Sequence, residues 1–171
     1  MKYTMKGNFF NGKYHEADSN SGKLVTKSSP ADLDQKLWEC RVSNDHLDDV
    51  LEGAKKGFET WRKLSFEERA TYLQRYKEEV LKRKEQIAEA ISLEIGKPYW
   101  EALVEAGAVA GKVDITINES LPRIAQKNIE GIMPKTNARI NFKPIGISLV
   151  IGPFNFPCHL ANGQMVSSLL S

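Results

Sequence analysis

The strongest constraint on the fold is a change of character within a few residues. Residues 147–151, ISLVI, are apolar apart from Ser148, and the run stops at Gly152-Pro153. A single amide, Asn155, then lies between Phe154 and Phe156 and ahead of Pro157, and a helix is expected from about His159. A short apolar run bounded by Gly and Pro predicts a strand buried on both faces, as in a parallel sheet. Strand, tight turn and helix together open a βαβ unit. The chain is therefore expected to be α/β rather than all helical.

Upstream, the pattern is helical. Leu47, Val50, Leu51, Ala54, Phe58, Trp61 and Leu64 follow one face of a helix, with Asn44 as candidate cap before Asp45. Asp45, Asp48 and Asp49 at the start, and Arg62 and Lys63 at the end, suit the helix dipole. Ser65 with Glu68 forms a capping box ahead of the stripe Ala70, Leu73, Tyr76 and Val80. Arg75 with Glu79 and Glu78 with Lys82 are candidate i,i+4 pairs. A third helix runs from about Glu85 to Ile95, with Gly96 as its left-handed stop. Pro98 suits the first position of a fourth helix, carrying Leu103, Ala106, Ala110, Val113, Ile117 and Leu121 and ended by Pro122. Gly107 and Gly111 predict close helix contact.

The flanks read as β. Asn11-Gly12 between aromatic residues predicts a hairpin over 8–14, because both tolerate positive φ. Residues 16–33 read as a loop with a short strand near Leu24-Val25. Residues 138–143 alternate with period two, as a half-exposed strand does, with Asn137 as its turn.

Hydrophobic residues make up 41% and charged residues 27%, with a net charge of +2, which argues against a disordered tail and against an electrostatic nucleic-acid or membrane binder. No apolar run approaches the roughly 18 residues of a membrane helix. No secretory leader is evident, so Cys40 and Cys158 are expected as free thiols in a cytoplasmic protein, and no metal-ligand spacing is present.

Several ordered segments carry a resemblance. Pro144-Ile145-Gly146-Ile147 with Gly152-Pro153-Phe154-Asn155-Phe156-Pro157 resembles a signature of the aldehyde dehydrogenase superfamily. Trp61-Arg62, Ser65-x-x-Glu68-Arg69 and Glu94-Ile95-Gly96-Lys97-Pro98 resemble further family segments in the same order. Gly96 to Ala102 and Asn155 to Gly163 are similar to the family's succinylglutamate-semialdehyde branch, which serves bacterial arginine catabolism; Cys158 and Ala161 depart from that branch's usual Gly and Pro.

The resemblance implies an N-terminal hairpin and helical part of a cofactor-binding domain over 1–125, oligomerisation-type strands over 126–143, and the first strand and helix of a Rossmann-like domain over 144–171. It implies NAD or NADP as cofactor, a small-molecule aldehyde as substrate, and a homodimer or homotetramer. Asn155 is then the expected oxyanion donor, although by itself it also suits a turn. Ile151, Gly152, Pro153 and Phe154 are expected along the nicotinamide-ribose side, and Phe156, His159 and Asn162 along the aldehyde tunnel. His159 equally suits a polar helix start, and Lys112 a solvated helix face or a substrate carboxylate. Cys158 reads as a packed residue, Lys97 as structural, and Trp38, Trp61 and Trp100 as core or interface aromatics. The family's catalytic Cys and Glu are expected beyond Ser171, making the chain a truncated portion that oxidises no aldehyde alone. A non-enzymatic helical interaction module is the competing expectation.

Overall fold

The computed structural model describes residues 3–16 and 21–171. The fold is α/β, with three separate two-stranded antiparallel ribbons around a helical core. Strands β1 (Asn8–Phe10) and β2 (Lys13–His15) form the expected hairpin. Asn11 at φ 51° and Gly12 at φ 77° make its turn. Both angles lie in the left-handed region that this dipeptide tolerates.

Part of the loop expected over 16–33, residues 17–20, lies outside the described residues. Beyond it the ribbon is more regular than the sequence suggested. Strand β3 (Lys23–Ser29) pairs with β4 (Asp32–Val42), which the charged sequence DLDQKLWECRV concealed. Buried Leu37 and the bond from Trp38 Nε1 to Glu94 Oε1 (2.9 Å) tie this ribbon to the helices.

Helices α1 (Leu47–Trp61), α2 (Phe66–Lys82), α3 (Lys84–Ile95) and α4 (Tyr99–Ile115) follow the predicted periodicity, with differences at their ends. Helix α1 starts after His46 without a side-chain cap, and Asn44 contributes its backbone carbonyl to Leu47 N (3.0 Å). The capping box of α2 is complete: Glu68 N donates to Ser65 Oγ (3.2 Å) and Ser65 N to Glu68 Oε2 (2.7 Å). Glu79 pairs with Lys82 and Arg83 rather than with Arg75. The shorter i,i+3 reach to Lys82 replaces the expected Glu78 pair, and Arg75 lies over the Tyr72 ring instead.

Gly96 ends α3 at φ 73°, as expected. Pro98 precedes α4 as its cap rather than opening it. Pro122 does not stop the chain's helical course. A π turn (Thr116–Ser120) leads into α5 (Leu121–Ile124), which contains the proline. A regular α turn would crowd the proline ring against the carbonyl four residues back, and the wider turn relieves this.

Strands β5 (Lys127–Met133) and β6 (Thr136–Ile140) form an exposed ribbon. Its turn is Pro134-Lys135, with Lys135 at φ 61°, rather than Asn137. Asn137 instead accepts a hydrogen bond from Gly131 N (3.0 Å) inside the ribbon.

The largest departure is 147–151, which forms no strand. Leu149 and Ile151 are 87% and 83% exposed. Among the described residues no strand pairs with it, and a parallel strand is stable only between neighbours. The helix after it, α6 (His159–Leu170), forms as expected.

Three apolar clusters hold the helices together. Leu73, Val113, Val166 and Leu170 join α2, α4 and α6. Ala88, Ile91, Ala102 and Ala106 join α3 to α4. Val80, Val109 and Ala110 join α2 to α4. Alanines make the close α4 contacts; a Cβ on Gly107 would stand 3.4 Å from the Lys84 side chain of α3, whereas Gly111 faces open space.

Candidate active-site loop

Asn155 lies at the centre of an exposed bend that enters α6. No hydrogen bond holds its side chain among the described residues, so both amide N–H donors are open. Its position depends on the backbone to either side. On the C-terminal side, Cys158 N and His159 N both donate to Glu105 Oε1, at 3.1 and 3.2 Å. Glu105 projects from α4, and its side chain is 1% exposed. Its other oxygen accepts from Lys97 Nζ at 2.8 Å, and the same ammonium lies 4.3 Å from the Phe156 ring centroid. Lys97 is also 3.5 Å from Glu101. Burial opposes the charged lysine, but the hydrogen bonds and charges of Glu105 and Glu101 outweigh it and raise its pKa.

The residues predicted to surround Asn155 divide into two groups. Phe156 follows it in the same bend, and His159 is the first residue of α6. Ile151, Gly152, Pro153 and Phe154 are all exposed. A Cβ on Gly152 would stand 3.1 Å from Ala161 Cβ, so this glycine lets the segment lie against α6. The segment presents exposed apolar side chains and carries no charged one.

Asn162 is a correction. It is buried, its Nδ2 donates to Val109 O (2.9 Å) and its Oδ1 accepts from Tyr76 Oη (2.7 Å). It faces α2 and α4 and ties α6 to them, because a buried amide on that face of α6 has to be satisfied by the helices packed there.

Cys158 packs against two of the apolar clusters, as expected. Burial raises its thiol pKa, and the charges of Glu105 and Glu94 add to this, which suits a packed thiol rather than a nucleophile. Burial likewise raises the phenol of Tyr76. Lys97 is turned into the fold and bonded to Glu105. Trp61 Nε1 donates to Leu169 O (2.7 Å), whereas Trp100 is exposed.

Sequence reasoning missed Glu105. Its signal was an acidic residue on the buried stripe of α4, between Ala102, Ala106 and Val109. A carboxylate at such a position needs partners, and it finds them in Lys97 and the start of α6.

Comparison with known proteins decides the family. The aldehyde dehydrogenase family profile matches residues 16–171. The chain belongs to the aldehyde dehydrogenase family. It is 38% identical over 167 residues to an N-succinylglutamate 5-semialdehyde dehydrogenase of Legionella pneumophila (strain Corby), covering 97% of this chain and 32% of that protein. A protein of the same name from Chromobacterium violaceum is 34% identical over 168 residues, covering 98% and 33%. The chain thus spans about a third of these relatives' length. Among solved structures, the NADP complex of an NADP-dependent glyceraldehyde-3-phosphate dehydrogenase from Bacillus halodurans C-125 superposes with a TM-score of 0.82 at 27% identity, covering 94% of this chain and 34% of that one. An NADP-dependent enzyme from E. coli gives 0.84 at 25%, covering 96% and 34%. No helix among the described residues is long and apolar enough to cross a membrane.

Proposed function

We propose that this chain is the N-terminal part of a cytoplasmic NAD- or NADP-dependent aldehyde dehydrogenase, with Asn155 as the donor that stabilises the oxyanion. The substrate proposed is a semialdehyde of the succinylglutamate type, on the strength of the named relatives. The observation that carries the reading is the open amide of Asn155 on a bend otherwise anchored at its C-terminal side.

The chemistry follows from charge. Attack on an aldehyde turns its carbonyl oxygen into an anion. An amide N–H fixed beside that oxygen is worth more in the transition state than in the ground state. Asn supplies such donors without an ionisable proton. The nucleophilic cysteine and the glutamate base belong, on this reading, to the two-thirds of such enzymes that this chain does not match. A nicotinamide cofactor, when bound, supplies the hydride acceptor, and Ile151, Gly152, Pro153 and Phe154 would border it. Phe156 and His159 would line the aldehyde's approach. The exposed β5–β6 ribbon is the proposed oligomerisation element of a dimer or tetramer.

In the complete enzyme, Asn155→Ala is expected to lower kcat by about 10²- to 10³-fold with cofactor affinity retained. Steady-state and single-turnover kinetics check this, and an unchanged kcat with chemistry rate-limiting rejects the assignment. The 171 residues alone are expected to give no NADH or NADPH with a semialdehyde.

A further inference from the structure

We propose that the buried pair Lys97–Glu105 is the device that positions the Asn155 amide, a role that rests on the oxyanion reading of that residue. Asn155 has no side-chain bond of its own. The segment before it has no strand partner among the described residues. The segment after it is held at three points within four residues. Phe156 lies under the Lys97 ammonium, and the Cys158 and His159 amides share Glu105 Oε1. All three anchors converge on one ion pair, 2.8 Å across, on the α3–α4 framework.

Helix capping alone does not account for this arrangement. The Ser65–Glu68 box caps α2 at the surface with no buried charge. At α6 the acceptor is a carboxylate with a side chain 1% exposed, paired to a lysine 10% exposed. Burying such a pair costs desolvation that its attraction barely returns, so it is a poor source of stability. What it supplies is a fixed position: two oxygens with fixed partners leave the turn one register on α4. Fixed geometry is what an oxyanion donor requires, since a displacement of about 1 Å costs roughly 100-fold in rate. Glu105 and Lys97 are therefore positioning residues that act through Asn155.

The test is a double-mutant cycle in the complete enzyme, with Glu105→Gln and Lys97→Gln each made with and without Asn155→Ala. Each single change at Glu105 or Lys97 is expected to lower kcat by roughly 10- to 100-fold with the aldehyde KM within about threefold. In the Asn155→Ala background the same changes are expected to cost less than about threefold, because the donor they position is gone. Hydrogen exchange in the complete enzyme gives a second readout, with faster exchange at the 158 and 159 amides in Glu105→Gln. An equal fold-loss in both backgrounds, or faster exchange with kcat unchanged, overturns the proposal. If Glu105→Gln fails to fold, Lys97→Gln carries the same cycle, and Lys97→Arg should restore kcat. Additive losses beside an intact Asn155 effect remove this proposal alone. A silent Asn155→Ala removes the oxyanion reading and this proposal together.

Discussion

Helices α1 and α2 have similar sequence patterns and opposite fates. Each repeats apolar residues along one face. Helix α2 buries Leu73 and Val80 against α4 and α6. Helix α1 has no buried residue, and Leu47, Val50 and Leu51 remain exposed. Its ties are few: Trp61 Nε1 to Leu169 O at 2.7 Å, the Trp61 ring against Tyr72 of α2 with centroids 5.5 Å apart, Arg69 to the Arg62 carbonyl at 3.4 Å, and the Asn11 side chain seated against Gly53. The difference teaches that periodicity records which face is suited to burial. It does not say which element covers that face.

The largest effect that separates the two helices is a cavity. Leu73→Ala is expected to cost about 2–5 kcal/mol, the range for emptying a packed site. Leu51→Ala on α1 should cost less than about 1 kcal/mol, because the side chain is already 41% exposed. Urea unfolding of the chain followed by circular dichroism measures both. Equal losses would break the comparison and mean that α1 is covered in solution.

The same distinction explains what the sequence made legible. The hairpin at Asn11-Gly12, the box at Ser65 and the stop at Gly96 depend on contacts within a few residues, so their residue types announce them. The buried faces of α2 and α4 were legible because their partners lie within the same chain. Residues 147–151 carry an apolar pattern as clear as either, yet form no strand, because pairing needs neighbours that no local pattern supplies. Strand β4 failed in the opposite sense, since its charged residues face solvent and hid a strand anchored by Leu37 and Trp38. At the site, Asn155 stood out as a lone amide between phenylalanines. Glu105 did not, because the amides it holds at the start of α6 are some fifty residues further along the chain, and its near partner Lys97 gives no sign of them. Asn162 was placed beside the wrong neighbours for the same reason: its partners Tyr76 and Val109 are distant in sequence.

Helix starts give the next, smaller contrast. Ser65→Ala removes an acceptor that Glu68 N uses, and should cost about 0.5–2 kcal/mol. Asn44→Ala should change stability by less than about 0.5 kcal/mol, because α1 uses only the backbone carbonyl of Asn44. Thermal unfolding of the two variants sharpens the comparison. A large loss at Asn44 would show that α1 acquires a side-chain cap in solution.

The smallest contrast is electrostatic. Lys77 on α2 reaches Asp114 on α4 at 2.6 Å, joining two elements. The pairs on α1, Lys56 with Glu52 and Arg62 with Glu59, lie within or at the end of the helix itself. The hydrogen bond from Lys77 is the main cause holding the Asp114 carboxyl below its usual pKa. A lowered carboxyl pKa means that the folded state favours the ionised form. The contribution is complete above the unfolded carboxyl pKa of about 3.9 and disappears as pH falls through the folded value. Asp114 is 43% exposed, so solvent screening limits the pair to about 0.2–1 kcal/mol. Asp114→Asn should therefore lose that fraction at neutral pH and converge with the parent chain in acid, whereas Glu52→Gln should lose less at neutral pH. Stability measured by urea unfolding across pH 2–7 checks the sign. A difference for Asp114→Asn that persisted undiminished at the acid end would mean that its role is packing rather than charge.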